Sequence, residues 1–334
     1  MFELNLTPAQ EDRARDLHAK ALVIDTHCDT IMGVVNGKYG LGVEREDGHI
    51  DLPRMIRGGV TTQLFACYIE PQFKPTRSLR RCVQMIDAIY AQAEQNPSLM
   101  EIAFTAADVQ RIHSSGKVAA IISIEGGEAI EGDLGVLRML HKLGVRAIGL
   151  TWNQRNDIAD GVGEIRAKGG LTNFGVSAIQ EMNRLGIIID VSHLTKPGFW
   201  DVIELSTAPI MASHSNAEAM CNHPRNLDDD QIRALAKNGG VMGMNFCPPF
   251  VVETGTPTLN DMLDHVDHIV KLVGPNHVGI GSDFDGIGST PVGLEDVSKM
   301  GNFTRGLVAR GYSDEDILKI LGGNYLRIFQ QIFP

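Results

Sequence analysis

The sequence is poor in cysteine and in positive charge, and it has no long hydrophobic run. Its 334 residues include only five cysteines, and no two of them form a CxxC pair. A disulfide scaffold or a thiolate zinc site is therefore not expected, and we interpret the cysteines as buried thiols in a reducing compartment. The formal net charge of −11 disfavours nucleic acid or an anionic membrane as a partner, because both bind positively charged surfaces.

The sequence also shows no pattern typical of a membrane-crossing helix or a signal peptide. No run reaches the ~20 apolar residues that a membrane-crossing helix needs. The first residues, MFELNLTPAQEDRARD, lack the apolar stretch of a signal peptide. We therefore expect a cytoplasmic protein without a membrane partner.

Eight short apolar segments alternate with longer stretches that have helical periodicity. Most are nearly continuous in β-branched and other apolar residues, which is typical of strands covered on both faces. They are residues 21–26, 60–68, 118–124, 145–151, 186–192, 208–213, 240–246 and 277–282.

This alternation predicts an α/β fold, a (β/α)8 TIM-type barrel formed by a single domain over residues 1–334. A doubly wound open sheet is the alternative, and the strand count alone does not exclude it. We expect a helix within residues 1–20 and further helices in 305–334. The stretches 30–59 and 250–262 are predicted to be loop insertions.

Polar side chains follow several of the predicted strands at their carboxyl ends. Each has an ordinary explanation by itself, such as a core histidine, a turn cap or an acidic turn. In a barrel, however, catalytic groups lie at this end of the strands, and so many together favour one site. The residues are His27, Asp29, Glu125, His193, His214 and Asp283.

Three imidazoles and two carboxylates suit borderline divalent metals such as zinc, manganese or iron. Five ligands exceed one tetrahedral ion, but they suit two ions about 3.5–4 Å apart that share a carboxylate. Two dications carry a total charge of +4, and two carboxylates and one bridging hydroxide reduce it to +1. That charge can attract either Asp283 or a carboxylate on the substrate, and Asp283 would then shuttle protons beside the metal-bound water.

Several motifs resemble the renal, or membrane, dipeptidase family, the zinc peptidase branch of the amidohydrolase superfamily. The resemblance covers roughly residues 20–332 and implies a distorted barrel with a binuclear site and two divalent ions. Zn²⁺ is the expected metal, with Fe²⁺ or Mn²⁺ as alternatives. The motifs are DTHCDT, IEGGEAI, GGLTNFGVSAIQEMNRLGIIIDVSH, SHSNAEAMCNHPRNL, GSDFDGI and LGGNYLRIF.

The resemblance also assigns roles to single residues. His27, Asp29 and Glu125 would hold one ion, and Glu125, His193 and His214 the other. Arg225 would bind the terminal carboxylate of the substrate, although a surface ion pair with residues 228–230 is the ordinary alternative. Asp283 would move a proton from a metal-bridging hydroxide to the leaving amine.

One position departs from the family pattern. Where members often have a histidine that stabilises the oxyanion, this chain has Trp152 in LTWNQRN. Tryptophan donates one hydrogen bond and cannot become cationic, so oxyanion stabilisation falls by about 3–4 kcal/mol if nothing replaces the histidine. Asn153 or Asn156 could supply a donor, and we predict Trp152 and Asn153 as substrate-binding residues.

The expected function is metal-dependent hydrolysis of small dipeptides, including substrates with a D-residue at the C-terminal position. One alternative is an amidohydrolase that acts on another small amide, lactone or β-lactam. A second alternative is a metal-bound homologue without catalytic activity, because Trp152 replaces the histidine. The resemblance also suggests a homodimer.

Overall fold

The computed structural model describes residues 4–334, and nine strands form one parallel sheet. The predicted N-terminal helix includes residues 1–3, which lie outside the described residues. The strands are β1 Ile24–Cys28, β2 Thr62–Tyr68, β3 Met100–Ile102, β4 Val118–Glu125, β5 Val145–Gly149, β6 Ile188–Asp190, β7 Met211–Ala212, β8 Val241–Met244 and β9 Val278–Ile280.

Fourteen α-helices are described in residues 4–334, most of them on the outside of the sheet. They are α1 Pro8–Lys20, α2 Thr30–Val35, α3 Leu52–Arg57, α4 Ser78–Gln95, α5 Ala106–Ser114, α6 Leu134–Lys142, α7 Asn173–Leu185, α8 Lys196–Leu205, α9 Asp229–Asn238, α10 Pro248–Val251, α11 Leu259–Val273, α12 Gly301–Ala309, α13 Asp314–Leu318 and α14 Asn324–Ile332. Within the described part of the chain, no helix has the length and apolar character to cross a membrane.

Eight of the strands close into the predicted barrel. The strand order is β2-β1-β9-β8-β7-β6-β5-β4-β3, and the ring closes because β2 also pairs with β4 from Thr62 to Tyr68. This pairing rules out the open doubly wound sheet. The strand β3 lies outside the ring against the first residues of β4, and it was not predicted because only three residues form it.

The stretch 30–59 was predicted as a loop insertion, and this was wrong in part, because it contains α2 and α3. Asp51 explains the second of these helices. Its side chain accepts a hydrogen bond from the backbone N–H of Arg54, and Pro53 occupies the first turn, where a missing N–H costs nothing. Local capping therefore makes helix where the apolar pattern was too short to indicate it.

The amino-terminal end of the barrel is closed by α14. Tyr325, Ile328 and Phe329 of this helix are fully buried against apolar side chains that the strands contribute. The Tyr325 hydroxyl lies 3.2 Å from Oγ1 of Thr26 inside the barrel. In the described part of the chain this end of the barrel is therefore filled, whereas the carboxyl ends of the strands border a cleft. The strand residues are Ile24, Leu64, Ala119, Ile121, Ala147, Ile188, Met211 and Val241.

Gly243 in β8 permits this packing, and Gly243→Ala is expected to destabilise the protein by about 3 kcal/mol. A Cβ atom there would lie 2.2 Å from the carbonyl oxygen of Ser213 and 2.7 Å from the Tyr325 hydroxyl, and a backbone atom cannot easily move away. Urea or thermal denaturation measures the effect. Gly288→Ala is the control, because no atom of residues 4–334 lies within 4 Å of its Cβ position. Equal stabilities of the two variants would contradict this packing.

Candidate active site

The barrel brings all six polar residues predicted at strand ends to one rim. Each lies at, or within three residues of, the carboxyl end of its strand, and all but Asp283 are less than 9% exposed. They are His27 at the end of β1, Asp29 just after it, Glu125 as the last residue of β4, His193 after β6, His214 after β7 and Asp283 after β9.

The carboxylate of Glu125 lies between two groups of side chains. Its Oε2 is 3.5 Å from Nε2 of His27, and that nitrogen is also 3.5 Å from Oδ2 of Asp29. Its Oε1 is 3.0 Å from Nε2 of His193 and 3.7 Å from Nε2 of His214. One carboxylate therefore offers a different oxygen to each group.

Two buried atoms in this cluster have no hydrogen-bond partner within residues 4–334: Nε2 of His27 and Oδ1 of Asp29. Unpaired buried polar atoms are costly, whereas both are strong metal ligands. Two ligands at about 2.1 Å from one tetrahedral ion lie roughly 3.4 Å apart, which is close to the observed separations. The residues present therefore fit divalent metal ions, and the same spacing brings Asp283 within reach of His27 and Asp29.

Hydrogen bonds fix the orientation of two of the histidines. Nδ1–H of His214 donates to Oγ of Ser213, which in turn donates to Oδ2 of Asp190 at 2.5 Å. Nδ1–H of His193 donates to Oδ1 of Asn153 at 2.8 Å. Both rings consequently present Nε2 to the cluster, and a hydrogen bond from the other ring nitrogen orients metal-binding histidines in the same way in other proteins.

Asn153 was predicted to bind substrate, and it does line the cleft, but its observed contact is with His193. Asn156, the other candidate donor, is engaged elsewhere. Its side chain bonds to the carbonyl oxygen of Leu150 and to the backbone N–H groups of Ile158 and Ala159. It therefore shapes its own loop, and it lines a neighbouring cavity and not the cleft.

The electrostatics of the cluster favour a cation. Burial, followed by repulsion from Glu125, raises the pKa of Asp29 to about 7. Burial likewise raises the pKa of Asp283 to about 6, against the attraction of His27. Burial opposes protonation of His27, but Glu125 and Asp29 outweigh it and place its pKa well above the usual value. Positive charge near these carboxylates would restore their ionised form.

Strained backbone accompanies the cluster. His193 has a φ of 68° and Asp283 a φ of 64°, both in the left-handed region that residues other than glycine rarely adopt. Asp283 is held further by Asn245, whose side chain donates to its Oδ2 at 3.0 Å. Such strain is typical of functional sites, where the surrounding structure imposes it.

These residues open into a cleft of about 500 Å³. A larger cavity of about 720 Å³ lies beside α1, but the residues that line it form no such cluster. The type of residues in the cleft, and not its volume, therefore identifies the site. The walls of the cleft include Asp29, Met32, Tyr68, Glu125, Trp152, Asn153, His193, His223, Arg225, Cys247, Phe250, Asp283 and Ile287.

Arg225 is a buried cation in this cleft without a carboxylate partner within residues 4–334. It is 5% exposed, it donates to the carbonyl oxygen of His214 at 3.0 Å, and its Nε has no partner there. Asp228, a candidate for a surface ion pair, bonds instead to Lys196. The surface ion pair is therefore wrong, and the guanidinium is available to an anionic group in the cleft.

Trp152 forms one wall of the cleft together with Tyr68. Tyr68 was not among the site residues predicted from the sequence. The two ring centroids are 5.2 Å apart, and Trp152 lies 6.1 Å from the ring of His193. Nζ of Lys74 is 5.6 Å from both aromatic centroids. The position of Tyr68 as the last residue of a predicted strand was the signal that could have identified it.

A closed α/β barrel with this cluster at its carboxyl-terminal rim has the architecture of a metal-dependent barrel hydrolase. The family model described as membrane dipeptidase (peptidase family M19) matches residues 11–333. The chain belongs to this family, and it is a metal-dependent hydrolase of the peptide bond in dipeptides.

Individual proteins agree with this assignment. The chain is 36% identical to the dipeptidase aclJ of Aspergillus oryzae, covering 85% of this chain and 70% of that protein. The crystal structure of a metallopeptidase from Rhodobacter sphaeroides, bound to a phosphinate mimic of L-Ala-D-Ala, is 30% identical, with a TM-score of 0.88 over 94% of this chain and 99% of that one. The probable dipeptidase PvdM from Pseudomonas aeruginosa is 26% identical, with a TM-score of 0.90 over 98% and 99%.

Proposed function

We propose that this dipeptidase uses two divalent ions and recognises the free carboxylate of its substrate. The carboxylate of Glu125 supports this proposal best, because its two oxygens face separate groups of ligands. His27 and Asp29 would complete the first site, and His193 and His214 the second. When bound, the ions would polarise a carbonyl oxygen and lower the pKa of water toward neutrality.

Arg225 supports the preference for short substrates. A guanidinium group matches a carboxylate in two parallel hydrogen bonds, and the buried position of Arg225 close to His214 limits the distance between carboxylate and scissile bond. A dipeptide satisfies that limit, whereas a longer peptide would place residues where the carboxylate must lie. Since the Rhodobacter relative was crystallised with a mimic of L-Ala-D-Ala, we propose that D-residues are accepted at the C-terminal position.

Asp283 would transfer the proton to the leaving amine. Its Oδ1 lies 3.9 Å from Nε2 of His27, at the open side of the cluster, and Asn245 fixes its other oxygen. A carboxylate in this position can take up a proton near the ligand cluster and release it to a nitrogen that departs into the cleft.

The metal itself gives a direct test. The purified protein is expected to contain two equivalents of divalent metal per chain, mainly Zn²⁺, because imidazole and carboxylate ligands suit that ion. Chelation should abolish hydrolysis of L,L and L,D dipeptides and lower thermal stability, and Zn²⁺ should restore both. A ligand present at about a thousand times its Kd stabilises a fold by about 4 kcal/mol. Elemental analysis and calorimetry measure these effects, and full activity after chelation would contradict the proposal.

A further inference from the structure

We propose that the hydroxyl group of Tyr68 donates the hydrogen bond that stabilises the carbonyl oxygen of the substrate in the transition state. This inference rests on the proposed function. It concerns stabilisation of the oxyanion, for which Trp152 cannot replace the histidine of other family members because an indole cannot act as a cationic donor. The reaction itself is unchanged. Water adds to the carbonyl carbon, the C–N bond breaks, and Tyr68 keeps its proton while it donates.

The sheet places Tyr68 next to the centre of the ligand cluster. It is the last residue of β2, and it pairs in register with Glu125, the last residue of β4. Neighbouring strands lie about 4.8 Å apart, so the two side chains leave the rim side by side. Both line the cleft that also contains His193 and Arg225.

The hydroxyl is free to bind a substrate. Within residues 4–334 the Tyr68 hydroxyl forms no hydrogen bond, although the side chain is half-buried. Among the other candidates, Asn153 is engaged with His193 and Asn156 with its own loop. The two aromatic donors on this wall are the Tyr68 hydroxyl and the indole N–H of Trp152, and the amide NH2 of Asn153 is a third neutral donor, because His193 engages only its Oδ1.

Neighbouring side chains hold the ring of Tyr68 in place. Trp152 packs against it, and the ammonium group of Lys74 lies 5.6 Å from the centroids of both rings. Lys74 is itself fixed by a 2.8 Å bond to Glu128, and these two residues line a neighbouring cavity, not the cleft. In this arrangement Trp152 positions the tyrosine that takes over the role of a histidine.

The test compares Tyr68→Phe with Trp152→Phe and, as a matched control, with Tyr90→Phe, whose hydroxyl donates to Leu143 away from the cleft. Loss of one such donor typically lowers kcat by about 100- to 1000-fold. We expect this loss for Tyr68→Phe, with KM within about threefold of wild type and unchanged metal content. The dissociation constant of the phosphinate mimic of L-Ala-D-Ala, measured by calorimetry, should rise by a similar factor, because that mimic resembles the tetrahedral transition state.

The variants separate the two aromatic donors. If Trp152→Phe loses 100-fold or more while Tyr68→Phe stays within threefold of wild type, the indole is the donor and the inference is wrong. The inference also fails if Tyr68→Phe loses kcat but binds the phosphinate as tightly as wild type. A wild-type protein that contains metal but hydrolyses no dipeptide contradicts both this inference and the proposed function. Normal wild-type turnover with an unimpaired Tyr68→Phe variant contradicts this inference alone.

Discussion

Glu125→Gln should lower kcat/KM for a dipeptide by about a thousandfold and remove most of the bound metal. The substitution keeps the shape of the side chain but removes the charge that both ligand groups share. If each of the two contacts with a cation loses about 2 kcal/mol, the total of about 4 kcal/mol corresponds to about a thousandfold in rate. Steady-state kinetics and elemental analysis of the same preparation measure both effects.

Glu181→Gln is the matched control, because Glu181 lies on α7 outside the barrel and pairs with Arg184. It should retain its metal and its activity. A Glu125→Gln protein that binds two ions normally would show that the carboxylate does not join the two sites. Wild-type protein that binds two ions but hydrolyses no dipeptide would instead favour the homologue without catalytic activity.

Arg225→Met should lower kcat/KM by about 100- to 1000-fold for dipeptides with a free carboxylate. Removing one partner of a buried ionic contact costs about 2–5 kcal/mol, which covers this range. Substrates whose C-terminal carboxylate is replaced by an amide should be hydrolysed at similar, low rates by both proteins, because they cannot form the contact. The ratio of the two substrates therefore isolates carboxylate recognition from general damage.

Arg233→Met on α9 is the control, since Arg233 is exposed and forms its ion pair with Asp230. Metal content must be measured as well, because Arg225 also donates to the carbonyl oxygen of His214. If Arg225→Met hydrolyses free dipeptides as fast as wild type, recognition of a terminal carboxylate is wrong. An amidohydrolase that acts on lactones or other small amides would then fit better.

Much of the fold was predictable because strand formation here depends on local pattern. The eight apolar segments match the eight strands of the ring, and the residues between them form helices and loops. The segments that escaped prediction are short and capped, such as α3, or depend on a neighbour, such as β3, which pairs with the beginning of β4. Three residues carry too little periodicity to indicate a strand by themselves.

Some residues of the candidate site could likewise be predicted from the sequence, and others could not. The types of residue that cluster at the rim could be read directly, because each follows an apolar strand and parallel strands end together in a barrel. Arg225 could not be distinguished from a surface ion pair, because the sequence gives no information on which of its neighbours is buried. Tyr68 was missed because a tyrosine at a strand end is common. It is set apart by its place beside Glu125 and by a hydroxyl that has no hydrogen-bond partner among residues 4–334.

The sequence by itself determined the eight strands of the ring and the types of residue at their carboxyl ends, since both follow from residue type and strand periodicity, whereas ring closure followed from the pairing of β2 with β4. Only the tertiary structure decided which of the side chains at the rim lie near each other. It placed one oxygen of Glu125 toward His27 and the other toward His193, and it packed Trp152 against Tyr68. It also buried Arg225 without a carboxylate partner among residues 4–334. These relations join residues far apart in the chain, and their distances depend on ring closure and side-chain rotamers, which no local pattern encodes.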